Sequence, residues 1–190
     1  RTLISPRYPL TELACGLLSG FVAWHFGFTL QAGWMLLLTW GLLAICLIDA
    51  KHLIVPDVLV LPLLWTGLLL NSFDTFTGLS QAVWGAALGY ASLWSIFWIF
   101  KLLTGKDGMG YGDFKLLAAL GAWCGATAIL PIVLMSSLIG AVAGTAWIMA
   151  RGSDRATPIP FGPYLAAAGW VQLLWGAQIL QKYRELTGLQ

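Results

Sequence analysis

Residues 114–150 read FKLLAALGAWCGATAILPIVLMSSLIGAVAGTAWIMA, an apolar run of 37 positions in which Lys115 carries the only charge. Wound into one helix at ~1.5 Å per residue, it would be ~55 Å long. A bilayer's hydrocarbon core is ~30 Å thick. The run must therefore fold into two spans, with the bend expected at Ile129-Leu130-Pro131. Outward from it, four apolar stretches precede (about Leu13 to Phe28, Trp34 to Ile48, Val55 to Leu70 and Ala82 to Leu103) and one follows, from about Gly162 to Leu180. In lipid the backbone must satisfy its own hydrogen bonds, so these stretches read as helices, and the sparse alternation of a membrane barrel is absent. The expected fold is all-α: a polytopic transmembrane bundle of about seven spans, forming a single domain over residues 1–190.

Composition agrees. Hydrophobic residues make up 59% of the chain and charged residues 9%, whereas a soluble domain carries roughly a quarter charged residues. The net charge of +2 says less than its distribution. With seven crossings, Arg1, Arg7, Lys51, Lys101, Lys106, Lys115, Arg151 and Arg155 share one side, and only Lys182 and Arg184 fall on the other. The positive-inside rule makes the first side, with the N-terminus, cytoplasmic. Trp34, Trp84 and Trp98 lie near span ends, where interfacial aromatics belong. Cys15, Cys46 and Cys124 fall inside apolar spans without a CxxC pair, so neither a disulfide framework nor a zinc site is expected. The opening Arg1 reads as a fragment or processed product, and the first nine residues do not read as a signal peptide.

The acids carry the chemistry. Asp74 and Glu185 read as solvated charges, Asp154 as a partner of Arg151 and Arg155, and Glu12 as a carboxylate suited to a helix N-terminus. Asp49, Asp57, Asp107 and Asp113 gather on the cytoplasmic face. Asp49 ends one span and Asp113 begins another. Two crossings lie between them, so both return to one face across 64 residues. Gly108, Gly110 and Gly112 alternate before Asp113. Such glycines permit positive φ and close approach, turning the loop into the helix beside room for an extended substrate; an ordinary turn with an N-cap aspartate is the plain alternative. There is no GxxxxGK[ST] loop, and no nucleic-acid partner is expected. His25 reads as interfacial. His52 lies near Asp49, but one histidine and scattered acids do not make a metal site, and none is expected.

Helix-end fields distinguish the two acids: Asp49 sits at a C-terminal end, which opposes its charge, and Asp113 at an N-terminal end, which favours it. The expectation is that ionised Asp113 activates water while protonated Asp49 polarises the scissile carbonyl, as paired carboxylates do. The proton belongs to the coupled pair, so the roles can be reversed.

The stretch Ile48 to Asp57 resembles the first aspartate motif of bacterial type IV prepilin peptidases, and Gly110-Tyr111-Gly112-Asp113-Phe114-Lys115 resembles that family's GxGD motif. Leu116 to Trp123, Pro158 to Tyr164 and the opening Ser5 to Glu12 continue the likeness in order. The resemblance implies a GxGD aspartic endopeptidase of the bacterial inner membrane. It would cut basic leaders from prepilins or pseudopilins at the cytoplasmic face, for a type IV pilus or type II secretion. The catalytic aspartates carry over as Asp49 and Asp113. Gly110, Gly112 and Lys115 become substrate-loop residues, and Asp57 takes a structural role. Proteolysis needs no cofactor. The family's methylation of the new N-terminus uses S-adenosylmethionine, and the family's N-terminal domain with two CxxC pairs is not in this sequence. Gly140 and Gly144 form a GxxxG pattern that reads as packing within the bundle or as a homo-oligomer face. A small proton- or ion-coupled transporter is the rival function, since intramembrane acids also mark ion paths.

Overall fold

The computed structural model describes residues 7–106, 108–151 and 160–187. Expectations placed on Arg1, on Ser5 and Pro6, on Asp107, Asp154 and Arg155, and on Pro158-Ile159 lie outside the described residues. Among those described, the chain forms seven α-helices and no strand: α1 (Arg7–Phe26), α2 (Leu30–His52), α3 (Asp57–Asn71), α4 (Leu79–Thr104), α5 (Tyr111–Cys124), α6 (Ile129–Arg151) and α7 (Gly162–Thr187). The expected all-α polytopic membrane bundle is what the chain forms. α2, α4 and the stretch Ala126–Ala146 are long and apolar enough to cross a membrane, whereas α3 is apolar but shorter.

The break inside the 114–150 run falls earlier than expected. α5 stops at Cys124, Gly125 turns the chain at φ +84°, and a single 3-10 turn (Ala126–Ala128) leads into α6. Pro131 is the third residue of α6. Its missing N–H belongs there to the first turn, whose amides have no intrahelical partner, so it starts this helix instead of bending the previous one. At ~1.5 Å per residue the 14 residues of α5 span only ~21 Å.

Contacts divide the chain into two compact units, up to Ala44 and from Ile45 onward. In the first, α1 ends where Gly27 takes φ +64°. Thr29 then caps α2, its Oγ1 accepting from the Ala32 amide at 3.2 Å, and Trp40 Nε1 donates to Ser19 Oγ at 2.9 Å.

In the second unit α5 is the core. Every residue from Leu116 to Trp123 is buried, and α3, α4 and α7 pack around it. The α4 contact is a close backbone crossing: a Cβ on Gly85 would strike the Gly121 carbonyl, and one on Gly89 would lie 2.7 Å from the Leu117 oxygen. Only glycine admits that approach. The small residues of α4 thus serve packing within the bundle, and Gly140 of α6 likewise faces the Tyr164 ring of α7.

α3 holds α5 at both ends. At the far end Asn71, fully buried, donates from Nδ2 to the Ala122 carbonyl at 2.7 Å and accepts at Oδ1 from the Phe76 and Thr77 amides at 3.0 Å each. Trp123 Nε1 donates to the Leu63 carbonyl at 2.8 Å, and its ring fills the space that Gly67 leaves open. At the near end Lys115 Nζ reaches both Asp57 carboxylate oxygens at 2.7 Å.

Candidate active site

Asp49 lies in the last turn of α2. The Leu53 amide closes that helix onto the Asp49 carbonyl at 2.8 Å, with Leu53 at φ +55°. A short extended link through Val55 and Pro56 then leads directly into α3. Asp113 is the third residue of α5, entered from Gly110 in extended conformation. Both aspartates are buried, 4% and 5% exposed. They line one cleft of about 560 Å³ with Leu53 to Val55, Gly108 to Gly112, Pro160 and Phe161. The Asp113 amide donates to the Gly110 carbonyl at 3.3 Å, and its carboxyl lies within electrostatic reach of Asp49. Two acids 64 residues apart in sequence thus line one cleft.

The glycines preceding Asp113 work by close approach. Gly110 has φ −79°, and the positive φ in this region belongs to Gly105, which ends α4 at +70°. A Cβ on Gly112 would stand 2.6 Å from Val55 Cβ, so its absence lets the link after Asp49 lie against the start of α5. A Cβ on Gly108 would likewise stand 2.8 Å from the Phe100 ring. Lys115 lies one turn inside α5 and is paired with Asp57, the first residue of α3. That pair ties together the helices that follow each aspartate.

Sequence reasoning assigned no role to Gly162, the first residue of α7. Its amide donates to Asp49 Oδ2 at 3.0 Å in a buried setting, and a Cβ there would approach the same oxygen to 2.7 Å. Because Pro163 has no N–H, Gly162 offers the leading free amide of this helix end. Helix N-termini favour negative charge, so α7 counteracts at Asp49 the field of the α2 C-terminus. Helix ends alone therefore no longer divide the acid and base roles between Asp49 and Asp113. The stretch containing Gly162 was already visible as a family-like motif, but a backbone amide leaves no side-chain signal.

Two buried, interacting carboxyls in a peptide-sized cleft, flanked by extended backbone and a glycine loop, are suited to hydrolysis with a shared proton. Comparison with known proteins agrees. The profile of the type IV leader peptidase family matches residues 36–145. A prepilin leader peptidase/N-methyltransferase of Stutzerimonas stutzeri is 63% identical over 98% of this chain and 64% of its own length. The protein of that name from Pseudomonas aeruginosa is 62% identical over 100% of this chain and 66% of its own. That of Xanthomonas campestris pv. campestris is 52% identical over 98% and 65%. The chain spans just under two thirds of the length of these relatives. No solved structure matches it. The chain belongs to the type IV leader peptidase family, as its motifs led us to expect.

Proposed function

We propose that this chain carries a two-aspartate endopeptidase site that cuts basic leader peptides from type IV prepilins or pseudopilins. The observation that carries the reading is the convergence of buried Asp49 and Asp113 on one cleft. Family membership and the names of the relatives support the substrate class.

The chemistry follows from the pair. The ionised carboxyl takes a proton from water as the water oxygen adds to the scissile carbonyl carbon. The protonated carboxyl donates to the carbonyl oxygen. Collapse then breaks the C–N bond, and the amine leaves with a proton from the pair. The reaction needs water and no cofactor. Gly110 keeps a side chain out of the space beside Asp113 where substrate backbone would lie, Gly112 lets the Val55 link pack against α5, and the Lys115–Asp57 pair positions the helices without touching the reacting atoms.

The cleft opens, in this reading, to the cytoplasmic side of the bacterial inner membrane, with seven crossings. Lys51 and Lys115 sit at the same helix ends as Asp49 and Asp113, and Lys101 lies in the last turn of α4, the helix that leads into the Asp113 loop, the bias the positive-inside rule describes. Ion- or proton-coupled transport has no support: the paired acids lie at helix ends, and the family is a peptidase family.

The test is cleavage of a prepilin by purified protein, with Asp49→Asn and Asp113→Asn alongside. Both variants should keep their thermal stability and lose cleavage. A folded Asn variant that cuts at the parental rate would remove that residue from the pair.

A further inference from the structure

The stripe of α4 that is buried runs Ala82, Gly85, Gly89, Leu93 and Phe97, small residues first and large ones last. At the glycines the backbones of α4 and α5 touch, Gly85 at Gly121 and Gly89 at Leu117. Nearer the cleft the stripe has no glycine. Phe97, 1% exposed, fills the space instead, with the Phe114 ring centre 5.6 Å from its own. The two helices therefore meet backbone to backbone at one end, and across aromatic rings at the end that carries Asp113.

The segment entering α5 rests on the same rings. After Gly105 ends α4 the chain folds back along it, with Gly108 opposite Phe100 and Tyr111 opposite Phe97, the last two with ring centres 5.1 Å apart. Tyr111 and Phe114 also meet each other, at 5.6 Å. Three rings thus touch pairwise at interplanar angles of 53°, 60° and 68°, the tilted and edge-to-face arrangements that ring quadrupoles favour. Tyr111 stands two residues before Asp113 and Phe114 one residue after it. The aspartate is held between two rings that both lean on Phe97.

We propose that Phe97 is a positioning residue of the carboxyl pair, setting through the rings of Tyr111 and Phe114 how far Asp113 stands from Asp49. On the other side Gly112 lies against Val55, in the link that follows Asp49. Asp113 is therefore fixed between an aromatic wedge on α4 and a close contact at Val55. A shorter side chain at position 97 would let the start of α5 settle toward α4 and draw Asp113 away from its partner. The inference rests on the endopeptidase reading and adds a residue that lies outside both aspartate motifs.

The experiment measures kcat, KM and thermal unfolding for Phe97→Leu and Tyr111→Leu. Tyr111 is 54% exposed, so its replacement leaves the core intact. In both variants kcat should fall at least ~10-fold with KM nearly unchanged, since a misplacement of 1 Å costs ~100-fold. Tyr111→Phe keeps the ring and should recover most of the loss; a loss as deep as that of Tyr111→Leu would make the hydroxyl the acting group and overturn the proposal. The double variant should lose little more than the worse single, because both act through one contact, and multiplied losses would overturn it. Trp94→Leu, one turn away on α4 with its ring against Trp98, should keep the parental kcat; an equal loss there would reduce Phe97 to general packing. Hydrogen exchange of the amides in residues 108–113 reads the clasp without substrate. Phe97→Leu should speed it at least ~10-fold, and unchanged exchange overturns the proposal. A parent that cuts no prepilin, with exchange responding as expected, would refute the endopeptidase reading while supporting the hold of Phe97 on the Asp113 segment.

Discussion

Replacing Gly162 with alanine adds one methyl group at the most sensitive point of the site. The new Cβ would lie 2.7 Å from Asp49 Oδ2 and 3.2 Å from its Cγ, while the contact with Val55 Cγ2, at 3.4 Å, is ordinary. Asp49 is buried at the cleft wall. Its carboxyl must retreat by several tenths of an ångström, stretching or breaking the 3.0 Å bond from the Gly162 amide. Hydrogen bonds to a charged group are worth ~1.5–3 kcal/mol. At ~1.36 kcal/mol per factor of ten this corresponds to ~10- to ~150-fold in rate, and a 1 Å misplacement in an active site costs about as much, ~100-fold. Alanine is a better helix former than glycine, so α7 itself should not suffer. Cleavage kinetics and thermal unfolding of Gly162→Ala should show kcat down ~10- to ~150-fold at nearly parental stability. Gly33→Ala, where nothing lies within 4 Å of the added methyl, should behave as the parent. Parental turnover in Gly162→Ala would refute the view that this amide sets the Asp49 carboxyl.

Gly112→Val places a branched side chain 2.6 Å from Val55 Cβ; cleavage should fall at least ~100-fold while membrane insertion is retained, and full activity would show that the approach of the two segments is dispensable. Asn71→Ala strands the Ala122 carbonyl and the Phe76 and Thr77 amides. At ~1–3 kcal/mol for each unpaired buried group, its Tm should drop clearly, and an unchanged Tm would contradict the role given to Asn71. For Asp57→Asn and Lys115→Met, a double-mutant cycle in stability should give a coupling of at most ~1 kcal/mol, because the side chains are 53% and 33% exposed; a coupling of several kcal/mol would mean that the pair is more enclosed than its exposure indicates.

The membrane bundle was legible because charge is so scarce: the apolar runs allow little else. The meeting of Asp49 and Asp113 in one cleft was legible because two helices, α3 and α4, lie between the elements that carry them. Helix ends were read less well. In an apolar chain, lipid-facing and buried positions carry the same residue types, so periodicity could not reveal that Leu116 to Trp123 is buried throughout. Pro131 drew the expected bend toward itself, although a proline in a first turn is compatible with the helix it begins and Gly125 makes the turn. The grip of Gly162 on Asp49 spans 113 residues and uses only backbone on one side. No residue-type pattern encodes such a contact.

The double attachment of α5 to α3 has a mechanical consequence. Asn71 and Trp123 fasten one end and the Asp57–Lys115 pair the other, so Asp113 belongs to a braced frame. Asp49 is joined to that frame by the short link through Val55 and Pro56 and steadied from the opposite side by the α7 terminus. Widening the cleft along its weaker border would withdraw α7, and the Gly162 amide with it. On the proposed endopeptidase reading, admission of a peptide and disarming of the carboxyl pair would then be a single movement, and the pair would be fully set only once the border has closed over the peptide.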